Sequence, residues 1–252
     1  MRKEDFQSVA ANFPDPFRLI LRDSVASTND ELQQLAKDGA PHGWVLLADE
    51  QTSGRGRRGN SWCAPGRENL TFSILLRPNE AKVLWSRLAL ASGLALAESL
   101  ENFGLQAGIK WPNDIWLNGL KVAGILVEAG ADFAIVGIGL NVHTTEFPPE
   151  IAASATSLAL AMGEPPSRPE LLATIIRRLA IRLRGIGAEF PKLIQAVNQR
   201  CVLSGKRVVL QTAKGPQSGI VRQLGVGGEL LLETRGGIMP LIQADEVRIV
   251  EP

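Results

Sequence analysis

The run Gly54-Arg55-Gly56-Arg57-Arg58-Gly59 fits no regular element. Three arginines this close repel one another, and each glycine weakens any helix or strand that contains it. Yet the run sits between two strand-like stretches, Trp44-Val45-Leu46-Leu47-Ala48 upstream and Leu70-Thr71-Phe72-Ser73-Ile74-Leu75-Leu76 downstream. The chain is therefore built around core strands joined by a basic, glycine-spaced loop. Guanidinium forks match carboxylate and phosphate geometry, and successive main-chain N–H groups in such a turn form a concave anion nest. A phosphorylated or carboxylated small molecule fits best. A solvated basic turn and a nucleic-acid contact are the alternatives.

The chain has 252 residues, 45% hydrophobic and 21% charged, which is ordinary globular usage. Its length suits one large domain, or one large and one small. A formal net charge of +1 argues against a dedicated polyanion binder, because basic character is local to the loop. Met1-Arg2-Lys3-Glu4-Asp5 leads into no apolar h-region, so no secretory signal is expected and the predicted location is the cytoplasm. The most apolar stretch, Leu88 to Ala97, is too short to span a bilayer. Cys63 and Cys201 lack C-x-x-C spacing and read as free thiols. His42 and His143 stand alone and read as structural or exposed.

Ser27-Thr28-Asn29-Asp30-Glu31 opens a helix through Ala36, with Thr28 and Glu31 at capping-box spacing. Val83 to Phe103 reads as a long apolar helix stopped by Gly104, and Pro169 to Gly185 and Phe190 to Asn198 as two more. Strands are expected at Gly108–Trp111, Asp114–Leu117, Val122–Val127 and Phe133–Val142, with Asn118-Gly119 as a tight hairpin turn. After Gln199 the texture becomes short β-runs at 207–211, 219–222, 229–233 and 246–250, separated by glycine-bearing turns. That is the signature of a small all-β barrel, too small to be robust alone and so expected to dock on the larger unit.

Lys110-Trp111-Pro112-Asn113-Asp114 packs a cation, an aromatic, an amide and a carboxylate into one inter-strand turn. Asn113 and Asp114 offer hard oxygens suited to Mg²⁺ when substrate phosphates complete the shell, although Asn and Asp also bond their own backbone in simple turns. Lys121 precedes an apolar strand. Ser27, Thr28, Asn29 and Gln51 are small polar groups beside core elements, able to donate and accept. No Walker A pattern is present, and the Gly-x-Gly-x-x-Gly string of the arginine run leads into a strand rather than a helix.

Taken in order, Ser27-Thr28-Asn29, Gln51 to Gly59, Ser61-Trp62, Lys110 to Asp114, Lys121 to Leu126 and Gly137-Ile138-Gly139-Leu140-Asn141-Val142 resemble the biotin protein ligases. The resemblance covers about residues 20 to 200, and the tail resembles that family's SH3-like barrel. It implies an α+β fold, a mixed β-sheet flanked by helices of the class II synthetase type, with a catalytic domain at 1–199 and the barrel at 200–252. It also implies a two-step reaction in which biotin and MgATP give biotinyl-5′-adenylate and pyrophosphate. A lysine of a biotin carboxyl carrier protein then attacks the mixed anhydride.

By this resemblance Ser27, Thr28, Asn29 and Gln51 serve the biotin head. Gly54, Arg55, Gly56 and Arg57 lie on the loop that closes over biotin and adenylate. Trp62 stacks near adenine, Lys110 and Gly124 join the nucleotide-binding set, and Asn113 and Asn141 touch the nucleotide or its metal, Asn113 being the metal-ligand candidate. Lys121 contacts the biotin carboxylate or the adjacent phosphate. Arg55 and Lys121 are catalytic candidates on this basis; Asp114 is a third candidate on its chemistry rather than on the resemblance, as a carboxylate beside the nucleotide segment that could deprotonate or orient the incoming amine.

The expected partner is the carrier domain of acetyl-CoA carboxylase or a related carboxylase, with a homodimer formed by extending the central sheet. No membrane is expected. No DNA is expected either, since about 20 residues precede the first ligand motif, too few for the helix-turn-helix that some members carry. The rivals are a lipoate or octanoate ligase of the same fold, disfavoured by the polar set around Thr28, and a nucleic-acid-binding module.

Overall fold

A computed structural model describes residues 3–62, 66–213 and 215–250; Cys63 lies outside the described residues. The elements are α1 (Lys3–Ala10), β1 (Arg18–Val25), α2 (Thr28–Lys37), β2 (Trp44–Gln51), β3 (Leu70–Leu76) and α3 (Arg87–Glu101). Next come β4 (Gly108–Lys110), β5 (Asp114–Leu117), β6 (Leu120–Ala129), β7 (Ala134–Leu140), α4 (Pro149–Ala152) and α5 (Leu158–Met162). Helices α6 (Arg168–Arg182) and α7 (Phe190–Arg200) precede β8 (Arg207–Thr212), β9 (Gly215–Leu224), β10 (Leu230–Thr234), β11 (Gly237–Leu241) and β12 (Glu246–Ile249).

Strands β1 to β7 form one mixed seven-stranded sheet in the order β1-β2-β3-β7-β6-β5-β4. Only β1 and β2 run parallel in it; the other pairings are antiparallel. Alternation of side chains decides its two faces. Phe72, Ile138 and Ile125 are register partners across β3, β7 and β6, and all three are buried. This row faces α3, where a Cβ added at Gly93 would meet Ile115 and Ile125 at 3.6 Å. The mixed sheet flanked by helices is the fold expected from the resemblance.

The five C-terminal strands form a second, antiparallel sheet in the order β11-β10-β9-β8-β12, and among the described residues this ladder stays open rather than closing into a barrel. It docks as expected. One apolar cluster runs from Phe72, Leu94 and Ile175 into Phe190, Val208, Leu232 and Val247. Asn198 exchanges two hydrogen bonds with the backbone of Leu224, and Trp111 Nε1 donates to the Gly228 carbonyl at 3.0 Å.

Some elements differ from their sequence reading. The apolar run from Val83 splits into a 3₁₀ turn at Lys82–Leu84 and a helix starting at Arg87, with Val83 80% exposed, because hydrophobicity alone does not mark where the helix begins. Strand β1 carries little strand signal of its own: Leu19, Ile20 and Leu21 lie between Arg18 and the pair Arg22-Asp23, and pairing with β2 decides the matter. Strand β11 carries little either, since Pro240 and Gly237 disfavour strands, yet Pro is tolerated on an edge. The Asn118-Gly119 turn forms as read, with φ values of 51° and 81° joining the paired Leu117 and Leu120.

Candidate active site

Ala48, Thr71, Gly139, Gly124 and Asp114 are successive partners across β2, β3, β7, β6 and β5. Two residues along, Ser73, Gly137 and Leu126 make a parallel row. These rows floor a cavity of about 160 Å³ on the face away from α3. The glycines are required there by close approach. A Cβ on Gly139 would lie 2.2 Å from the Trp62 ring, and one on Gly137 would lie 2.3 Å from Asn29 Oδ1. Trp62 and Asn29 thus rest directly on β7.

One wall is the N-terminus of α2. The helix cap is Ser27, whose Oγ accepts from Asp30 N–H at 3.4 Å, so the capping pair sits one residue earlier than the Thr28/Glu31 spacing suggested. The reason is tertiary. Thr28 Oγ1 meets Gln51 Oε1 at 2.9 Å and Ser73 Oγ at 2.7 Å, and Glu31 accepts from Arg22 at 2.6 Å. Thr28 N–H also donates to Gln51 Oε1 at 2.8 Å. A backbone N–H can only donate, so the Gln51 oxygen faces Thr28 and its amide nitrogen points toward Gly54. Asn29 is oriented in the same way: Oδ1 accepts from Ser73 at 2.6 Å, and Nδ2 donates to Glu128 at 2.7 Å.

The arginine loop forms the lid. Gly56 N–H donates to the Asn60 carbonyl at 2.7 Å and Trp62 N–H to the Gly54 carbonyl at 2.9 Å, so the loop folds into a tight hairpin with a 3₁₀ turn at Arg57–Gly59. Its three cations have unequal surroundings. Arg55 pairs with Asp30 and, at 2.9 Å, with Glu128; Arg58 pairs with Asp245. Arg57 reaches only neutral oxygens, Asn113 Oδ1 at 3.1 Å and the Ala244 carbonyl at 3.3 Å. Burial lowers the Arg57 pKa, and the Arg58 charge acts in the same sense, while the nearby Asp114 and Asp245 charges partly offset both. Among the described residues, two of the arginines are thus in direct ion pairs with carboxylates, whereas Arg57 has carboxylates only at longer range and its guanidinium edge toward the cavity.

At the far end Lys121 Nζ lies 2.7 Å from Asp114 Oδ1, close enough for an ion pair although not aligned as a hydrogen bond. Asn113 Nδ2 donates to the Ile125 carbonyl at 2.8 Å. Among the described residues no group of three or more His, Cys, Asp or Glu side chains converges as a metal site. The hard oxygens of Asn113 and Asp114 already face Arg57 and Lys121.

The structure gathers Ser27, Thr28, Asn29, Gln51, Arg55, Gly56, Arg57, Trp62, Asn113, Asp114, Lys121 and Gly124 around this one cavity. It sets three expected residues behind or beside it. Gly54 does not line it but packs beside the Trp62 carbonyl and the Gln51 amide, where a Cβ would come within 2.8 Å of both. Lys110 stacks on Trp116, 4.5 Å from the ring centroid, with burial lowering its pKa. Asn141 is buried and ties β7 to the segment before α5 by donating to the Thr156 carbonyl at 3.0 Å. Thr71 and Asp245 line the cavity and carried no signal in the sequence, Thr71 because it reads as an ordinary strand residue. Thr71 Oγ1 and Trp62 Nε1 are buried without a hydrogen-bond partner among the described residues.

The histidines play no part in the cavity. His42 Nδ1 accepts the Arg77 backbone N–H at 2.9 Å, and burial lowers its pKa.

Residues 21–142 match the model of the biotin/lipoate A/B protein ligase family. The biotin--[acetyl-CoA-carboxylase] ligase of Mycobacterium tuberculosis is 34% identical over 230 residues, spanning 88% of this chain and 86% of that protein. The ligase of the same name from Paracoccus denitrificans is 34% identical over 238 residues, spanning 88% and 96%. The solved biotin protein ligase from Aquifex aeolicus, in complex with biotin and ATP, superposes with a TM-score of 0.85 at 33% identity, covering 92% of this chain and 99% of that one. On this shared length, sequence identity and fold, the chain belongs to the biotin/lipoate A/B protein ligase family.

Proposed function

We propose that this protein joins biotin to a lysine of a carboxylase carrier domain, using ATP and passing through biotinyl-5′-adenylate. The observation that carries the reading is the pairing of Arg57, a guanidinium held by neutral oxygens, with the donor–acceptor network of Thr28, Gln51 and Asn29 in one cavity. Biotin's urea-like head needs donors and acceptors together, and its carboxylate must meet the α-phosphate despite like charge. Ser27, Thr28, Asn29 and Gln51 answer the first need. Arg57 and Lys121 answer the second by neutralising both anions where they approach, which is worth more in a water-poor site than in solution.

In this reading Arg55, fixed by Asp30 and Glu128, holds the lid over biotin, and Trp62 offers an indole face to the adenine. Asp114 holds Lys121 and is the base for the incoming carrier lysine. Mg²⁺ arrives with the triphosphate as part of the substrate, since cations already face the nearby oxygens. We assign residues 1–199 to catalysis and 200–252 to a supporting SH3-like unit. No described helix is long and apolar enough to cross a membrane, and ATP use agrees with a cytoplasmic enzyme. A homodimer made by sheet extension would use β1, because Cys201 and Val202 cover the outer edge of β4.

Incubation with biotin, ATP, Mg²⁺ and an apo carrier domain, followed by mass measurement of the carrier, tests the proposal. Addition of one biotinyl group is expected, with lipoate giving no product. Lipoylation in place of biotinylation would transfer the assignment to the lipoate branch.

A further inference from the structure

The cavity draws one side chain from the C-terminal sheet, Asp245, in the turn between β11 and β12. Its carboxylate pairs with Arg58, and the carbonyl of its neighbour Ala244 accepts from Arg57. The turn is firmly held. Ala244 is buried, and Asp245 N–H donates to the Gln211 carbonyl, next to the β8–β12 pairing, at 2.7 Å. Arg58 itself adopts φ 56°, ψ 39°, a left-handed conformation unusual for arginine, at the tip of the hairpin. A fixed point on the small sheet therefore grips the tip of the lid.

We propose that the Arg58–Asp245 pair is a latch through which the C-terminal sheet holds the arginine loop shut over the acyl-adenylate, so that Asp245 is a positioning residue acting through Arg58. This rests on the ligase reading. The adenylate must stay in place while pyrophosphate leaves and the carrier arrives, and a mixed anhydride exposed to water hydrolyses. The two side chains are 44% and 34% exposed, so the pair adds little to global stability. Local opening of a loop has a far smaller free energy than unfolding, and loss of such a pair raises the open population roughly twofold to fivefold.

The test begins with ligand-free protein. Hydrogen exchange at Gly56, Asn60 and Trp62, whose N–H groups close the loop, should quicken about twofold to fivefold in D245N and return toward wild type in the charge-swapped R58E/D245R, with the thermal midpoint unchanged. Release of preformed biotinyl-5′-adenylate should rise by the same factor. Wild-type exchange in D245N overturns the latch, and faster exchange with unchanged release overturns its part in retention. A protein that forms no adenylate, yet shows faster loop exchange in D245N, refutes the ligase reading while the grip on the loop stands, so the two failures are distinguishable.

Discussion

Lys121 reaches Asp114 across the bare backbone of Gly124: Nζ lies 2.7 Å from Asp114 Oδ1, and a Cβ on Gly124 would sit 3.3 Å from that same Nζ. The Trp62 ring centroid is 5.9 Å from the ammonium. A cation, its counter-ion and an aromatic face are thus stacked over one glycine, and that glycine pairs with Gly139 beneath the indole. The arrangement separates two roles for Asp114, which can hold Lys121 for adenylation or take a proton during transfer.

Asp114→Ala is expected to slow both half-reactions, each by about 10²-fold, a usual size for a lost acid–base or charge-orienting group. Single-turnover transfer from preformed adenylate to the carrier isolates the second step. If transfer runs at the wild-type rate while adenylate formation is slow, Asp114 only holds Lys121.

Gly139→Ala and Gly137→Ala should damage different substrates. The first drives a methyl into the Trp62 ring and the second into the Asn29 amide. Overpacking of this kind costs about 1–3 kcal/mol, enough for roughly a tenfold rise in KM. We expect the rise to fall mainly on ATP for Gly139→Ala and on biotin for Gly137→Ala. Steady-state kinetics with each substrate varied in turn will show the split, and equal effects on both KM values would contradict the placement of the two ligands.

Arg168 is 1% exposed, donates to the Asn69 carbonyl and to Asp49 Oδ1, both at 3.1 Å, and so braces the roots of the segment that carries the arginine loop. Arg168→Met leaves Asp49, among the described residues, with only the more exposed Arg67 as an ionic partner. A loss of about 3–5 kcal/mol in urea unfolding is expected, and the Asp49→Asn/Arg168→Met double variant should lose clearly less than the sum of the single changes.

Stability should fall in mildly acidic solution. Burial lowers the pKa of His42, and Nδ1 accepts the Arg77 N–H, so the folded protein favours the neutral ring. The unfolded chain then binds more protons between the folded-state pKa and the ordinary value near 6.5, and stability rises with pH across that window. Burial lowers the His143 pKa as well, which adds to the same slope. Urea midpoints from pH 5 to 8 should climb and level off above about 6.5, and His42→Gln should flatten part of the climb. A midpoint that falls over this range would reverse the assignment.

Much of the molecule was legible in local pattern. The arginine run could only be a loop, the runs beside it only core strands, and Asn118-Gly119 only a tight turn, because each signal depends on backbone preferences of a few adjacent residues. The Thr28 cap was misread by one position because Gln51 and Ser73, far away in sequence, claim its hydroxyl. Strand β1 has no local signature because its identity depends on the neighbour it pairs with.

The amino-acid order alone settled the chemical inventory: guanidiniums on a glycine loop, hydroxyls and amides at a helix start, a lysine and a carboxylate flanking a turn. Only the folded chain decided which charges are paired directly. Gly137 and Gly139 become a floor through strand register, and Asp245 reaches Arg58 because a separate sheet docks beside the lid. Electrostatic compensation and steric clearance act through space, so they depend on distances that no local stretch of sequence encodes.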